Sequence, residues 1–495
     1  MLLTWAQTPL YAAILGLFSS GANGVFLDAN DWANVCFQDI AGTSPVTAME
    51  QPVGLILDKS QGLALGTELT TNGGFVSDLS GWTSSSTAPA TSSWVAGGLQ
   101  LSTDGSQYAG EWQGVTTVVG KWYKIQIVVS TGGDSLQCRV GTSGGAGDVF
   151  SSTNYMTAAG TYNFYFLAVG TTSYVQVRTG SGGTYVVRSI STKNIAGNHA
   201  YQSTSANRPV ITARYNLLLA TAVLSTQSVT VTAGSWTLYF TGSGSVALSG
   251  AATGTKTAGS NVITCTAGTL TLTVTGSVLT ADLRPSDQAT GLIPTYQRVN
   301  TATDYDWSPA FPPMINGNGS NQFLQGNLDL SATNKVTVWA GLRVFQSSTT
   351  GFLIETSTNS GANNGAFYVD APDHVNASAD FGSQVRGTAT CYADTASGSA
   401  VAPVTKVLST QMNLSAATLA TALINRLNGV VDQSVLGGSI PGGGNFGNYP
   451  YYRLSRAGTS LFMNGGFNSL IILGAAASAA QISMAEAWAN SKVRA

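Results

Sequence analysis

Residues 269–275 read Thr-Leu-Thr-Leu-Thr-Val-Thr. In a helix this run would spread its apolar side chains around the whole cylinder. In an extended strand, successive side chains point to opposite faces, so Leu270, Leu272 and Val274 share one side and threonines the other. A one-residue slip would turn the apolar set to solvent, so the register of such a strand is strongly specified. Alternation of this kind recurs at 122–130, 135–141, 161–169, 174–180, 184–195, 235–242, 261–268 and 336–345, with Gly- and Ser-rich turns between. Short strands rich in Val, Tyr, Trp and Thr at this spacing predict an all-β chain of serial antiparallel β-sandwiches. The PVGLILD run at 52–58 reads as one strand buried on both faces.

Helical spacing is confined to the ends and one weak internal stretch. At 478–493, Ile482, Ala485, Trp488 and Ala489 fall on one helical face. Ser478 is placed to cap that helix, and Lys492 and Arg494 sit at its dipole-favoured end. A weaker helix is expected at 415–425. The chain opens with an apolar segment whose core is 9–18, and no basic residue precedes Lys59. A signal peptide needs a positive start, and ten apolar-rich residues are too few to cross a bilayer. We read the segment as a short helix that docks through Trp5, Leu10, Tyr11, Ile14, Leu17 and Phe18. Its target is its own chain, a sister chain or a larger assembly, and not a membrane.

The 21 Lys and Arg and 23 Asp and Glu make up 9% of the 495 residues, against about 25% in an average domain. With a net charge of -2 the chain lacks the cationic surplus that nucleic-acid binding requires. Its 9% aromatic content excludes disorder, and heptads for a coiled coil are absent. Few charged side chains mean low desolvation costs when surfaces pack together, and long sheet edges with few lysines to guard them. Both favour assembly. Cys36, Cys138, Cys265 and Cys391 are scattered with no CxxC pair, which reads as buried free thiols made in a reducing compartment.

Groups able to do chemistry are sparse. His199 lies in a connector. His374 sits among Asp370, Asp373 and Asp380, an oxygen-rich loop of the type that suits Ca²⁺. Asp304 and Asp306 alternate and so share a strand face and could pair, as could Asp370 with Asp373, the two arrangements with the look of a carboxyl pair. No GxSxG, HExxH or Walker pattern occurs. The glycine runs at 141–147 and 437–444 lack a following lysine and helix, and read as turns. Polar ligands such as glycans are held by aromatic platforms with amide and backbone partners. Trp82, Trp94, Trp112, Trp122 and Tyr123 all fall in one predicted sandwich. Trp82 and Trp94, with loop-like flanks, are the first candidates for a platform, and Tyr123 the third.

Several segments together resemble virion proteins of tailed bacteriophages. The stretches 28–60 and 197–218 are similar to the two pieces of an opening module, here split by residues 65–195. That insert, beginning ELTTNGGFVSDLSGW, looks like a carbohydrate-binding-module jelly roll. Residues 225–285 look like a small sandwich recurrent in phage structural proteins. The segments at 316–325, 336–345 and 448–474, closed by the 481–492 helix, resemble a laminin-G/concanavalin-A-like domain. The resemblance implies five parts: an anchor at 1–64, a jelly roll at 65–195, a connector at 196–216, a small sandwich at 217–287 and the laminin-G-like domain at 288–495. It also implies a non-enzymatic head, neck or tail fibre or decoration protein, docked by its N-terminal segment with sandwiches projecting outward. Such a protein is assembled in the host cytoplasm beside capsid, portal or tail proteins. It is expected to be a homo-oligomer, a trimer before a dimer. The alternative is an adhesin for host-surface glycans. A depolymerase ranks last, because the ExDxxE strand of concanavalin-like glucanases is missing. No cofactor other than Ca²⁺ is expected.

Overall fold

A computed structural model of the chain describes residues 9–133, 135–152, 155–180, 182–288, 296–308, 310–347, 349–372 and 379–493. It is all-β, with several antiparallel sheets and short terminal helices. Contacts divide it into two units: Met1–Asn34 with Thr47–Val53 and Thr204–Ala495, and Val35–Val46 with Gly54–Ser203. The first 64 residues are thus shared between the units, an interleaving that local sequence patterns do not reveal.

The second unit is a jelly-roll-like sandwich. One sheet orders Gly160–Leu167, Trp122–Thr131, Gly183–Ile195, Gly98–Thr103 and Thr91–Val95, with Leu65–Glu68 added to the Gly183–Ile195 strand. The other orders Phe150–Ser151, Gln137–Gly141, Thr172–Thr179, Ala109–Thr116 and Thr83–Ser84. Leu99, Leu101, Ile125, Ile127 and Val129 from the first meet Val115, Cys138, Val140, Val175 and Val177 from the second in one buried cluster. Every second residue of these strands enters that core, as the alternation requires.

In the first unit, Asn464–Leu473 is central to a sheet that runs from Val210–Thr212 through Met314–Asn318 to Lys335–Val344, Val404–Asn413, Leu423–Leu427 and Val430–Val431. Gly24–Asp28 pairs with the same central strand. A further set of strands orders Leu324–Asp329, Asn448–Arg453, Phe352–Thr356, Ala366–Asp370, Gly382–Arg386, Thr390–Asp394 and Val435–Gly438. Residues 269–275 lie in a five-stranded sheet, with Leu270 and Leu272 buried in its core. The long strand Gly234–Gly250 of that sheet breaks register between Phe240 and Ser245, pairing with Leu279–Pro285 before the break and Gly268–Thr275 after it. Gly242 sits in the break at φ +104°, a conformation that side chains with a Cβ resist.

The last helix, Ala479–Val493, starts on a reciprocal cap: Gln481 N–H donates to Ser478 Oγ and Ser478 N–H donates to Gln481 Oε1, which satisfies two orphan groups at once. The first helix, Pro9–Gly16, packs against it. Ile14, Leu17 and Phe18 are buried with Phe26, Trp339 and Trp488, and Tyr11 packs against the same cluster. Of the expected targets, the chain itself is the one that Tyr11, Ile14, Leu17 and Phe18 meet here. Only Leu10 of the set is exposed, and Trp5 lies outside the described residues. The helix expected at 415–425 is one turn, Leu419–Ala422, followed by the strand Leu423–Leu427. Asn425 is drawn into that strand by buried hydrogen bonds to Ser383, Thr410 and the Ala393 carbonyl. All four cysteines are free and buried.

Candidate functional site: an aromatic and basic sheet face

The outer face of the five-stranded sheet in the second unit differs from an ordinary solvated surface. In Thr172–Thr179, Val175 and Val177 point into the core and Tyr174, Gln176 and Arg178 to the opposite face, where Gln176 is buried and the other two are half-buried. In Ala109–Thr116 the same alternation buries Ala109 and Val115 and turns Trp112 outward. In Gln137–Gly141, Cys138 and Val140 are core residues, and Gln137 and Arg139 face out.

Register aligns these side chains. Arg139 is opposite Gln176, Gln176 is opposite Trp112, and Trp112 is opposite Thr83. One row across the sheet therefore reads Arg139, Gln176, Trp112, Thr83. Tyr174 and Arg178 flank Gln176 two residues to either side on the same strand, and so are the two diagonal neighbours of Trp112. The Trp112 and Tyr174 rings meet edge to face, with centroids 5.3 Å apart. Gln176 is held on both sides: its amide donates to Ser85 Oγ at 2.7 Å, and Arg139 reaches its Oε1 at 3.4 Å. Arg178 lies over the ring of Tyr108 at 3.4 Å, and that ring is half exposed.

The loop between Gly141 and Phe150 bounds the face. Asp148 ties it by accepting from Thr142 N–H at 2.9 Å and Thr142 Oγ1 at 2.6 Å. Its backbone comes so close to the indole that a Cβ on Gly144 would stand 2.4 Å from Trp112 Cζ2. Glycine is required there by that approach, which gives the expected turn a definite role. Trp112 is thus wedged against Tyr174 and the loop. Its indole N–H has no acceptor among the described residues, so it is left for solvent or a ligand. On the inward side, Glu111 accepts from Ser92 Oγ at 2.5 Å, and burial pushes its pKa up.

The residues expected to bind glycan lie elsewhere. Trp82 and Tyr123 are core residues. Trp82 packs on Phe75 at 5.3 Å and donates to the Asn72 carbonyl at 3.3 Å, and the Tyr123 hydroxyl is used to accept the Val118 N–H at 2.8 Å. Neither presents a ring face for stacking. Trp94 is 41% exposed, but it stands on the edge strand of the other sheet, with its N–H donated to the Phe75 carbonyl at 2.8 Å. Trp122 is buried against His199 and Tyr201. The face with Trp112 was nevertheless legible, since TSYVQVRT alternates aromatic, amide and guanidinium groups with valines.

The other candidates do not converge on a chemical centre. Asp304 and Asp306 both pair with Arg298, at 3.1 and 3.0 Å, at an exposed position. Hydrogen bonds from Asn300 and then Arg298 hold Asp304 below the usual carboxylate range. Asp370 and Asp380 are buried, and Asp373 and His374 lie outside the described residues. Among the described residues no group of three or more His, Cys, Asp or Glu is placed to hold a metal, and the expected set Asp370, Asp373 and Asp380 lies partly outside them. His199 is fully buried, accepts the Asp58 N–H at Nδ1 at 2.9 Å, and burial pulls its pKa down to about 3. It is a neutral structural residue. Among the described residues no helix is long and apolar enough to cross a membrane.

No family model and no curated protein matches the chain. Among solved structures, BiXyn10A CBM1 in its apo form is similar over 26% of this chain and 97% of its own, at 16% identity and a TM-score of 0.22. The enzymatically active domain of tailspike protein 4 from bacteriophage CBA120 is similar over 26% of this chain and 21% of its own, at 12% identity and a TM-score of 0.21.

Proposed function

We propose that the chain is a structural component of a tailed-phage virion whose jelly-roll unit holds a glycan of the host surface. The observation that carries the glycan part is the half-buried Trp112 and Tyr174 ring pair flanked by Arg139 and Arg178, with the buried Gln176 at the centre of the row. Aromatic rings give sugars an apolar surface to lie on, and guanidinium donors give their oxygens direction. The hydrogen bond from Arg139 to the buried Gln176 Oε1 limits the ordering that Arg139 needs on binding. The virion part is supported by the resemblance of the sequence segments. Assembly with further copies is supported by the long, charge-poor edge strand Gly254–Cys265, which is exposed along most of its length and which a neighbouring chain would cover.

The role is proposed to be holding and not cleaving. Glycoside hydrolysis requires one protonated carboxyl beside one ionised partner. Asp304 and Asp306 instead share one guanidinium. The test is retention of purified protein on host-surface polysaccharide, wild type against Trp112→Ala. Wild type is expected to bind and the variant to lose at least ~tenfold in affinity, the loss of a stacked aromatic contact and its buried area. Absence of binding by wild type to any host polysaccharide overturns the reading.

A further inference from the structure

The charge on this face narrows the class of glycan, an inference that rests on the glycan reading above. Arg139 is opposite Gln176, and Arg178 is two residues further along the same strand. The two arginines are therefore diagonal neighbours on one face, with Cα atoms about 7–8 Å apart. Among the described residues neither makes an ion pair. Asp148, the carboxylate that acts on Arg139, is engaged by Thr142. Burial, and after it the Arg178 charge, pulls the Arg139 guanidinium below its ordinary range.

Each guanidinium is held as a presented fork. Arg139 reaches only Ser151 Oγ at 3.3 Å, the Gly145 carbonyl at 3.4 Å and Gln176 Oε1 at 3.4 Å, all long. Arg178 places its guanidinium carbon 3.4 Å from the centroid of the Tyr108 ring and makes no hydrogen bond among the described residues. Stacking fixes the plane of a guanidinium and leaves its edge N–H groups free, the arrangement that meets a carboxylate with two parallel bonds. In a chain with only 21 basic residues, two half-buried arginines on adjacent strands beside a half-buried aromatic pair, with no direct ion pair among the described residues, leave room for an anionic partner.

We infer that the ligand is an acidic polysaccharide, its uronate carboxylate held by Arg178 and Arg139 while the pyranose ring lies against Trp112. Neutral sugars satisfy the ring contact and leave both forks unmet. Binding therefore discriminates by charge at one end of the row and by ring shape at the other.

The experiment is affinity electrophoresis and calorimetry of the full-length protein against polygalacturonate, unsubstituted xylan and dextran sulfate, with wild type, Arg178→Ala, Arg178→Lys and Trp112→Ala. Polygalacturonate is expected to bind at least ~tenfold tighter than xylan, since a hydrogen bond to a charged group carries that much. Arg178→Ala removes this preference, and Arg178→Lys restores only part of it, because an ammonium cannot form the paired bonds. Trp112→Ala weakens binding to both uronate and neutral polymers. Equal binding of xylan and polygalacturonate, unchanged in Arg178→Ala, overturns the acidic class and leaves the glycan reading standing. Retention of dextran sulfate as strongly as polygalacturonate, independent of Trp112, reduces the face to plain charge attraction and overturns the inference. Retention of none of these polymers overturns the acidic class, and failure on host-surface polysaccharide as well overturns the glycan reading.

Discussion

Tyr11 and Trp488, from the first and last helices of the chain, pack with ring centroids 5.9 Å apart, and Phe26 closes on the same indole at 5.8 Å. The opening helix is therefore part of the fold of its unit. Ile14, fully buried beside these rings, is expected to cost about 2–5 kcal/mol when cut to alanine, through lost contacts and the cavity left behind. Leu10→Ser on the exposed side is expected to change stability by less than about 0.5 kcal/mol. Chemical denaturation of both variants checks this. Equal, negligible effects would mean that the helix is only an external anchor.

A second buried contact is electrostatic. Arg284 forms a two-pronged ion pair with Asp282, and the Gln297 N–H donates to the same carboxylate at 2.8 Å. Both side chains are sealed from solvent, and burial pushes the Asp282 pKa up against the pull of Arg284. Arg284→Met leaves the carboxylate without its cation and is expected to destabilise by about 3–5 kcal/mol. The double change Asp282→Leu, Arg284→Met is expected to cost less than Arg284→Met alone, because no buried charge is then left unmatched. Denaturation midpoints of the two variants give the comparison directly.

The second unit carries two buried titratable groups whose effects on stability run in opposite directions with pH. His199 stays neutral in the fold down to about 3, from an ordinary value of 6.5. The unfolded chain takes up that proton first, so the stability His199 contributes above 6.5 is lost progressively as pH falls toward 3. Glu111 is raised from its ordinary 4.5 by burial, with hydrogen bonds from Ser92 and Ser84 opposing. Its folded form keeps a proton that the unfolded form has lost, so its contribution is lost as pH rises above 4.5. The gap in denaturation midpoint between wild type and His199→Gln is expected to shrink from pH 7 to pH 4. The gap between wild type and Glu111→Gln is expected to move against wild type over the same range taken upward.

How far this was legible in the sequence follows from how local each cause is. Alternation is local, so the strand with Tyr174, Gln176 and Arg178 outside and Val175 and Val177 inside can be read directly from TSYVQVRT. The choice among tryptophans is not local. Trp82 has loop-like flanks, yet the loop folds it onto Phe75, whereas Trp112 lies within a strand and stays half-buried on the face turned away from the core. The apolar face of the first helix was also legible, but its partner Trp488 stands more than 470 positions later in the numbering. The helical pattern at 415–425 yielded to a strand because Asn425 finds its partners, Ser383 and Thr410, only in the assembled sheets.

The wall beside Trp112 offers a test of the face that leaves every contacting side chain in place. Gly144 approaches the indole so closely that an added Cβ would fall 2.4 Å from Cζ2 and 2.7 Å from Cε2. Gly144→Val must therefore displace either the loop or the ring. The loop is exposed and tied mainly by Asp148 to Thr142, so global stability is expected to change by less than about 1 kcal/mol. On the proposed glycan reading, binding depends on ring placement, and an ångström of misplacement at a stacking surface is felt strongly. We expect a reduced affinity for the bound polysaccharide with an unchanged melting temperature, and a shift in tryptophan emission absent from the corresponding Gly160→Val control, whose Cβ meets nothing closer than the Tyr162 ring at 3.8 Å. Unaltered binding in Gly144→Val would place the ligand away from Trp112.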